Sequence, residues 1–82
     1  MADTALPDGA LAIRAAEGDE RAFEALVGRH KVALYRLARL YVGDADDADD
    51  IVQASFVSAW DALKRYDPTR DFASWLSPLK PP

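Results

Sequence analysis

The sequence predicts an all-α protein, a small bundle of three to four helices. Apolar residues recur every three to four positions along two long stretches, residues 20–42 and 46–64, as they do on the buried face of an α-helix. Glycine or proline follows each stretch, and no segment alternates apolar and polar residues as a strand would. The 82 residues suffice for one small domain, which we expect over residues 9–77.

The first helix is predicted over residues 9–17, a segment rich in Ala and Leu, which have high helix propensities. Its apolar face would comprise Leu11, Ala12, Ala15 and Ala16. Gly18 follows as a residue that commonly ends a helix. Pro7 and the Asp8-Gly9 pair favour a turn, so we expect residues 1–8 to form a flexible N-terminus.

The second helix, residues 20–42, is the longest predicted element. Asp19 precedes it as an N-cap whose carboxylate can accept hydrogen bonds from the first backbone N–H groups. Its apolar stripe would comprise Phe23, Leu26, Val27, His30, Leu34, Leu37, Ala38 and Tyr41. Gly43 closes the helix.

The third helix, residues 46–64, begins in an acidic run. Carboxylates at a helix start satisfy free N–H groups and oppose the positive end of the helix dipole, a contribution of roughly 0.3–1 kcal/mol for a well-placed one. The run comprises Asp44, Asp46, Asp47, Asp49 and Asp50. The buried face would comprise Ile51 or Val52, Ser55, Phe56, Ala59, Trp60 and Leu63.

A loop and a short helix complete the domain. Pro68 lacks an N–H group and disfavours helix in the residue before it, so a loop precedes the last helix. Asp71 caps that helix, which is predicted over residues 71–77, and Pro78 ends it. We expect residues 78–82 to form an extended tail.

Charge alternates along the chain in blocks. The net charge of −4 argues against a protein that coats DNA. Yet residues 29–43 carry four positive charges and no negative charge, whereas residues 44–63 carry six negative charges and no positive charge, so different partners could use different blocks. No apolar run approaches the roughly 20 residues that span a bilayer, and the N-terminus lacks a signal-peptide pattern. We therefore expect a cytoplasmic protein without membrane insertion.

Nothing in the sequence supports catalysis or a metal site. The chain has no Cys and one His, His30, which lies on or beside an apolar stripe, and it has no Gly-rich phosphate loop. The acidic run lacks the central Gly and the terminal Glu of a calcium-binding loop. We expect no enzyme activity, no cofactor and no metal ion.

Two surfaces are candidate binding sites, and each has an ordinary structural alternative. One face of the third helix suits a basic helical partner or is simply solvated; it comprises Asp49, Asp50, Gln53, Ala54 and Val57. The second surface comprises Arg65, Tyr66, Asp67, Thr69, Arg70, Phe72 and Trp75. Aromatic rings can stack unpaired bases at ~1–3 kcal/mol each, or Phe72 and Trp75 can be the buried face of the short helix.

The order of these features resembles the second conserved region of bacterial sigma factors, specifically the extracytoplasmic-function group. The family pattern is an acidic stretch, Asp-hydrophobic-hydrophobic-Gln, then Phe, Ala-Trp, a basic-aromatic loop and Phe-x-x-Trp-Leu. It is matched here by Asp50, Ile51, Val52, Gln53, Phe56, Ala59, Trp60, Arg65, Tyr66, Phe72, Trp75 and Leu76. The upstream segment FEALVGRHKVALYRLARLYVG resembles the family's first long helix, so the resemblance covers roughly residues 19–76.

The resemblance implies a transcription initiation factor domain with two tasks. The face around Gln53 would bind the clamp helices of the RNA polymerase largest subunit. The loop region would contact the melted minus-ten promoter DNA, with Phe72 and Trp75 capturing a flipped non-template base and Arg65 and Arg70 holding phosphates. An anti-sigma factor is a further expected partner. The alternative is a small helical protein-interaction module, regulated by such a factor, without nucleic-acid binding.

Two positions depart from the family pattern. Ala54 stands where the family usually has Glu, which weakens one expected polar contact with the clamp. Pro78 is expected to truncate a longer basic helix that reads the minus-ten element in the family. A second, minus-thirty-five domain is also missing from the sequence. We therefore expect a C-terminally truncated relative, either a fragment or a short protein that binds partners without initiating transcription.

Overall fold

The computed structural model describes residues 5–78. Between Asp8 and Leu76 four α-helices follow one another: α1 (Asp8–Ala16), α2 (Glu20–Tyr41), α3 (Ala45–Ala62) and α4 (Phe72–Leu76). A 3₁₀ turn, Leu63–Arg65, extends α3 before the loop to α4. No strand occurs among residues 5–78, so the predicted all-α bundle is confirmed.

Local signals set the helix ends within one or two residues of the predicted bounds. Gly18 has φ 101°, in the left-handed region that glycine adopts without strain, and it ends α1. The side chains of Asp19, Asp44 and Asp71 accept backbone N–H hydrogen bonds in the first turns of α2, α3 and α4. These N-caps satisfy donors that a helix start otherwise leaves unpaired.

The core lies where α1, α2 and the C-terminal part of α3 meet, with α4 beneath them. Its largest fully buried side chains are Leu11, Leu26 and Phe72, and each contributes roughly 1.5–3 kcal/mol by leaving water. Small buried residues allow the helices to approach closely, namely Ala12, Ala15, Ala22, Ala38, Ala48 and Ala59. The buried Ser55 hydroxyl donates to the Ile51 carbonyl at 2.7 Å, so this polar group is satisfied.

Two residues predicted for the buried stripes are exposed instead. Tyr41 is 55% exposed at the end of α2, and Trp60 is 37% exposed on α3. The 22 residues of α2 span about 33 Å and the nine residues of α1 about 13 Å, so α1 covers only part of α2. Beyond α1, α2 packs mainly on α3 and buries a narrower face that includes Leu34 and Ala38. The stripe prediction was therefore wrong at Tyr41. It was also wrong at Trp60, which lies at the margin of the contact between α2 and α3 with its ring edge-on to Phe23.

The predicted flexible N-terminus and extended tail lie only partly within the described chain, since residues 1–4 and 79–82 are outside it. Asp8 begins α1, and the turn predicted at Asp8-Gly9 is instead the first helical turn. Pro7 is the N-cap, and its carbonyl accepts the Leu11 N–H at 3.1 Å. None of the described helices is both long enough and apolar enough to cross a membrane.

Candidate functional site

The loop between α3 and α4 is an exposed turn held by side-chain hydrogen bonds. One carboxylate oxygen of Asp67 accepts from the Thr69 hydroxyl at 2.7 Å and from the Thr69 N–H at 2.9 Å. The Arg70 N–H donates to the Asp67 carbonyl at 2.9 Å. The two Thr69 bonds, that of the hydroxyl first, lower the pKa of Asp67 from 3.8. Asp67 is therefore ionised at neutral pH and keeps the turn closed.

Three aromatic rings lie beneath this turn. The ring centroid of Tyr66 lies 4.7 Å from that of Trp75 and 5.5 Å from that of Phe72, distances typical of favourable aromatic pairs. The Tyr66 hydroxyl donates to the Arg70 carbonyl and so ties the ring to the turn. Burial raises the pKa of Tyr66 above 10.0, and three nearby carboxylates add to the rise. The phenol therefore stays protonated and continues to donate at neutral pH.

The structure places two of the three predicted stacking rings inside the fold. Phe72 is 1% exposed and Tyr66 is 7% exposed, whereas Trp75 is partly exposed. Phe72 and Tyr66 therefore support Trp75 from beneath and present no ring face to solvent. The exposed part of this region, which we call the loop surface, comprises Arg65, Asp67, Thr69, Arg70 and the outer side of Trp75.

The predicted protein-binding face runs along one side of α3. All five of its members are exposed, and we call them the α3 flank: Asp49, Asp50, Gln53, Ala54 and Val57. Val57 is 63% exposed, so the flank has an apolar residue at its C-terminal end and two acidic residues at its N-terminal end. Such a surface suits a partner helix that carries both apolar and basic side chains.

A groove between α2 and α3 adjoins the α3 flank. It is lined by Glu20, Phe23, Glu24, Phe56, Val57 and Trp60. The ring centroid of Phe23 lies 5.0 Å from that of Trp60 and 6.2 Å from that of Phe56, in edge-on pairs. The sequence did not reveal this groove, because its walls come from different helices and the apolar pattern assigned Phe23 and Trp60 to the core. Val57 belongs to both the groove and the α3 flank.

A polar cluster that the sequence did not reveal ties α1 to α2. The two carboxylate oxygens of Asp8 contact His30 Nε2 at 2.7 Å and Arg29 Nη1 at 3.0 Å. The His30 ring centroid lies 5.2 Å from that of Phe72. Asp8 and His30 are 22 positions apart in the sequence, so no local sequence pattern predicts their contact.

The acidic run at the start of α3 acts as a helix cap. The Asp44 carboxylate accepts the Asp46 N–H at 2.8 Å, and the other aspartates of the run are exposed. Among residues 5–78, no three His, Asp or Glu side chains are arranged to hold a metal ion.

Comparisons with protein families and with known sequences both identify sigma factors as relatives of this chain. A family model described as Sigma-70 region 2 matches residues 26–79. The chain is 51% identical over 69 residues to the RNA polymerase sigma factor CnrH of Cupriavidus metallidurans, a match that covers 84% of this chain and 36% of CnrH. It is 33% identical over 60 residues to the ECF RNA polymerase sigma factor SigW of Bacillus subtilis, covering 73% of this chain and 32% of SigW. The chain thus spans about a third of the length of these relatives.

Two solved structures share the fold. The structure of CnrH in complex with the cytosolic domain of CnrY matches with a TM-score of 0.78 at 51% identity, over 84% of this chain and 45% of that one. The NMR structure of an engineered region 2 of sigmaE in complex with GTAAAA matches with a TM-score of 0.79 at 38% identity. That match covers 87% of this chain and 74% of the sigmaE chain.

Proposed function

The chain belongs to the Sigma-70 region 2 family, and from this membership we propose that it is a transcription initiation module that binds RNA polymerase and contacts the melted minus-ten promoter strand. The α3 flank would bind the clamp helices of the polymerase largest subunit. The loop surface would hold the non-template single strand. Because the two surfaces share no residue, the module can make both contacts at once. It acts without catalysis of its own, in the cytoplasm where the polymerase works.

The single observation that carries the DNA-binding half is the position of Trp75. It is the one ring of the aromatic cluster that reaches the surface, and it lies beside a closed turn with exposed Arg65 and Arg70. Aromatic rings stack bases of any sequence, and guanidinium groups pair with phosphates. A similar domain, the engineered region 2 of sigmaE, was solved with the hexanucleotide GTAAAA. In this proposal Tyr66 and Phe72 support Trp75, while Asp67 and Thr69 shape the turn.

The polymerase-binding half rests on exposure and charge. Val57 offers an apolar anchor, Gln53 a hydrogen-bonding group, and Asp49 and Asp50 an acidic end for a basic helical partner. Ala54 can make no polar side-chain contact, whereas the family usually has a glutamate at this position. Val57 and Gln53 would therefore contribute a larger share of the binding free energy here. The groove next to Val57 extends the apolar part of the surface towards α2.

The DNA-binding half is tested by fluorescence anisotropy of a labelled single-stranded GTAAAA oligonucleotide at low salt. We expect Trp75→Ala to weaken binding about tenfold, since a stacked ring contributes ~1–3 kcal/mol, and Arg70→Ala to weaken it as well. Arg39→Ala is the matched control, because Arg39 lies beside Gly43, at the opposite end of α3 from the loop. Equal affinity in all three variants would contradict this half.

The polymerase-binding half is tested by retention on an immobilised clamp-helix fragment. We expect the double variant Gln53→Ala with Val57→Asp to lose retention. Ile13→Asp is the control, since Ile13 is an apolar residue 51% exposed on α1, which contributes no residue to the α3 flank. If the double variant is retained like the control, the α3 flank is not the docking surface.

A second candidate partner is an anti-sigma factor. CnrH, 51% identical to this chain, was solved in complex with the cytosolic domain of a second protein, CnrY. We propose that an anti-sigma factor binds the chain in a similar complex and competes with the clamp helices. If the wild-type chain binds no single strand but does bind such a partner, the alternative of a protein-interaction module without nucleic-acid binding replaces the DNA-binding half.

A further inference from the structure

We propose that Asp8 and His30 are positioning residues for the loop surface, which hold Phe72 and, through it, Trp75 in the pose that accepts a base. The proposal rests on the single-strand binding proposed above and adds helix α1 to it. The sequence indicates no role for α1 in DNA binding. In the structure, two separate contacts connect α1 to the loop surface.

The first contact is made through side chains that touch one another in turn, from Asp8 through His30 and Phe72 to Trp75. Asp8 lies 2.7 Å from His30 Nε2, and the two side chains are only 29% and 17% exposed, so water competes weakly for the pair. The His30 ring lies 5.2 Å from Phe72 between centroids, and Phe72 lies 5.7 Å from Trp75. Phe72 is 1% exposed, so its ring can move only if a neighbour moves.

The second contact involves backbone rather than side chains. A Cβ atom added at Gly9 would lie 2.8 Å from the carbonyl oxygen of Pro68. The first turn of α1 therefore lies directly against the turn that carries the loop surface. Asp8 and Gly9 are adjacent, so one helical turn holds both the loop backbone and, through His30, the ring beneath Trp75.

Loss of the Asp8–His30 pair would loosen the rings beneath the loop surface. Without Asp8, the His30 ring loses the hydrogen bond that helps to orient it against Phe72. Trp75 packs on Phe72 and Tyr66 and is itself only partly buried. Trp75 would therefore sample more orientations, and each binding event would have to restrict them again.

The test uses the full chain with Trp60→Phe, which leaves Trp75 as the only tryptophan of the original two. Acrylamide quenching of Trp75 fluorescence without DNA measures how the ring is held, and anisotropy of single-stranded GTAAAA measures affinity. We expect Asp8→Ala and His30→Ala to raise the quenching constant and to weaken binding about fivefold, less than the complete loss of a stacked ring. Asp8→Asn should restore both values, because its amide oxygen can still accept from His30 Nε2–H.

Asp19→Ala is the matched control. It removes the N-cap of α2, which typically costs ~1 kcal/mol, without any contact to Phe72. It should lower the melting temperature yet leave Trp75 quenching and DNA affinity as in the parent chain. Asp8→Ala changes no core side chain, so it carries the test even if His30→Ala does not fold, and circular dichroism verifies folding of each variant.

The outcomes separate this proposal from the proposed function. If the parent chain binds GTAAAA and the Asp8 and His30 variants match it in quenching and affinity, the positioning role is wrong and the DNA-binding role stands. Altered quenching with unaltered affinity also overturns the positioning role. If the parent chain does not bind, the DNA-binding role fails, and with it the role of Asp8 and His30 in it.

Discussion

Trp75 and Phe72 are neighbours in one aromatic cluster, but they differ in exposure, and from this difference we propose different roles for them. Phe72 is 1% exposed and lies in the core, so its ring contributes to folding. Trp75 is partly exposed, so its outer side is available to a ligand. The family pattern Phe-x-x-Trp-Leu alone does not distinguish these tasks, because a separation of three positions on a short helix fits either a buried face or a stacking platform.

We expect this difference to appear in stability. Phe72→Ala should cost about 3–5 kcal/mol, the usual loss for a buried aromatic ring, which is a large part of the stability of so small a domain. Trp75→Ala should cost clearly less. Urea unfolding followed by circular dichroism measures both, and equal losses would show that Trp75 is as much a core residue as Phe72.

Asp67 provides a prediction about pH. Its pKa is lowered in the folded chain, so its hydrogen bonds to Thr69 stabilise the fold above the ordinary value of 3.8 and are lost as pH falls through the lowered value. The stability difference between the wild type and Asp67→Ala should therefore be present at about pH 7 and shrink as the pH falls below 3.8. Thr69→Val, which removes the hydroxyl donor, should return the Asp67 pKa towards 3.8 in an NMR titration. A stability difference that does not change with pH would contradict this role.

Among the helices, two glycines make a matched pair. Gly28 lies in the middle of α2 on its exposed side, and a Cβ added there would meet no other part of the protein within 4 Å beyond the adjacent backbone of α2. Gly28→Ala should therefore raise the free energy of unfolding by about 0.5–1 kcal/mol. Gly9→Ala gains the same helix propensity in α1, but its Cβ would meet the Pro68 carbonyl at 2.8 Å. We expect Gly9→Ala to be destabilising or neutral in thermal unfolding. A gain equal to that of Gly28→Ala would show that α1 and the loop do not touch.

The helices were predictable from the sequence where their signals are local. Asp19, Gly18 and Asp71 mark helix ends through bonds to residues a few positions away, and the observed bounds agree closely with them. The exposure of Tyr41 was not predictable, because it depends on how far α1 extends along α2. The contact between Asp8 and His30 depends on the same packing, and so does the groove between α2 and α3.

For the molecule as a whole, charge limits how this chain can hold DNA. The net charge is −4, and the loop surface offers two arginines, Arg65 and Arg70. For a single strand, each neutralised phosphate contributes about −0.7 to the slope of log affinity against log salt, so two contacts give a slope of about −1.4. Anisotropy across a salt series measures this slope. A much steeper slope would show that the basic residues of α2 also bind phosphates.

One small bundle is proposed to present two separate surfaces, the loop surface for a single strand and the α3 flank for the polymerase clamp helices. NMR chemical-shift mapping of the isotope-labelled chain can distinguish them in separate titrations with single-stranded GTAAAA and with a clamp-helix fragment. We expect DNA to shift the resonances of residues 65–75 and the clamp fragment to shift those of residues 49–60. If both ligands shift the same residues, or if GTAAAA leaves Trp75 and Arg70 unchanged, the two-surface proposal is wrong.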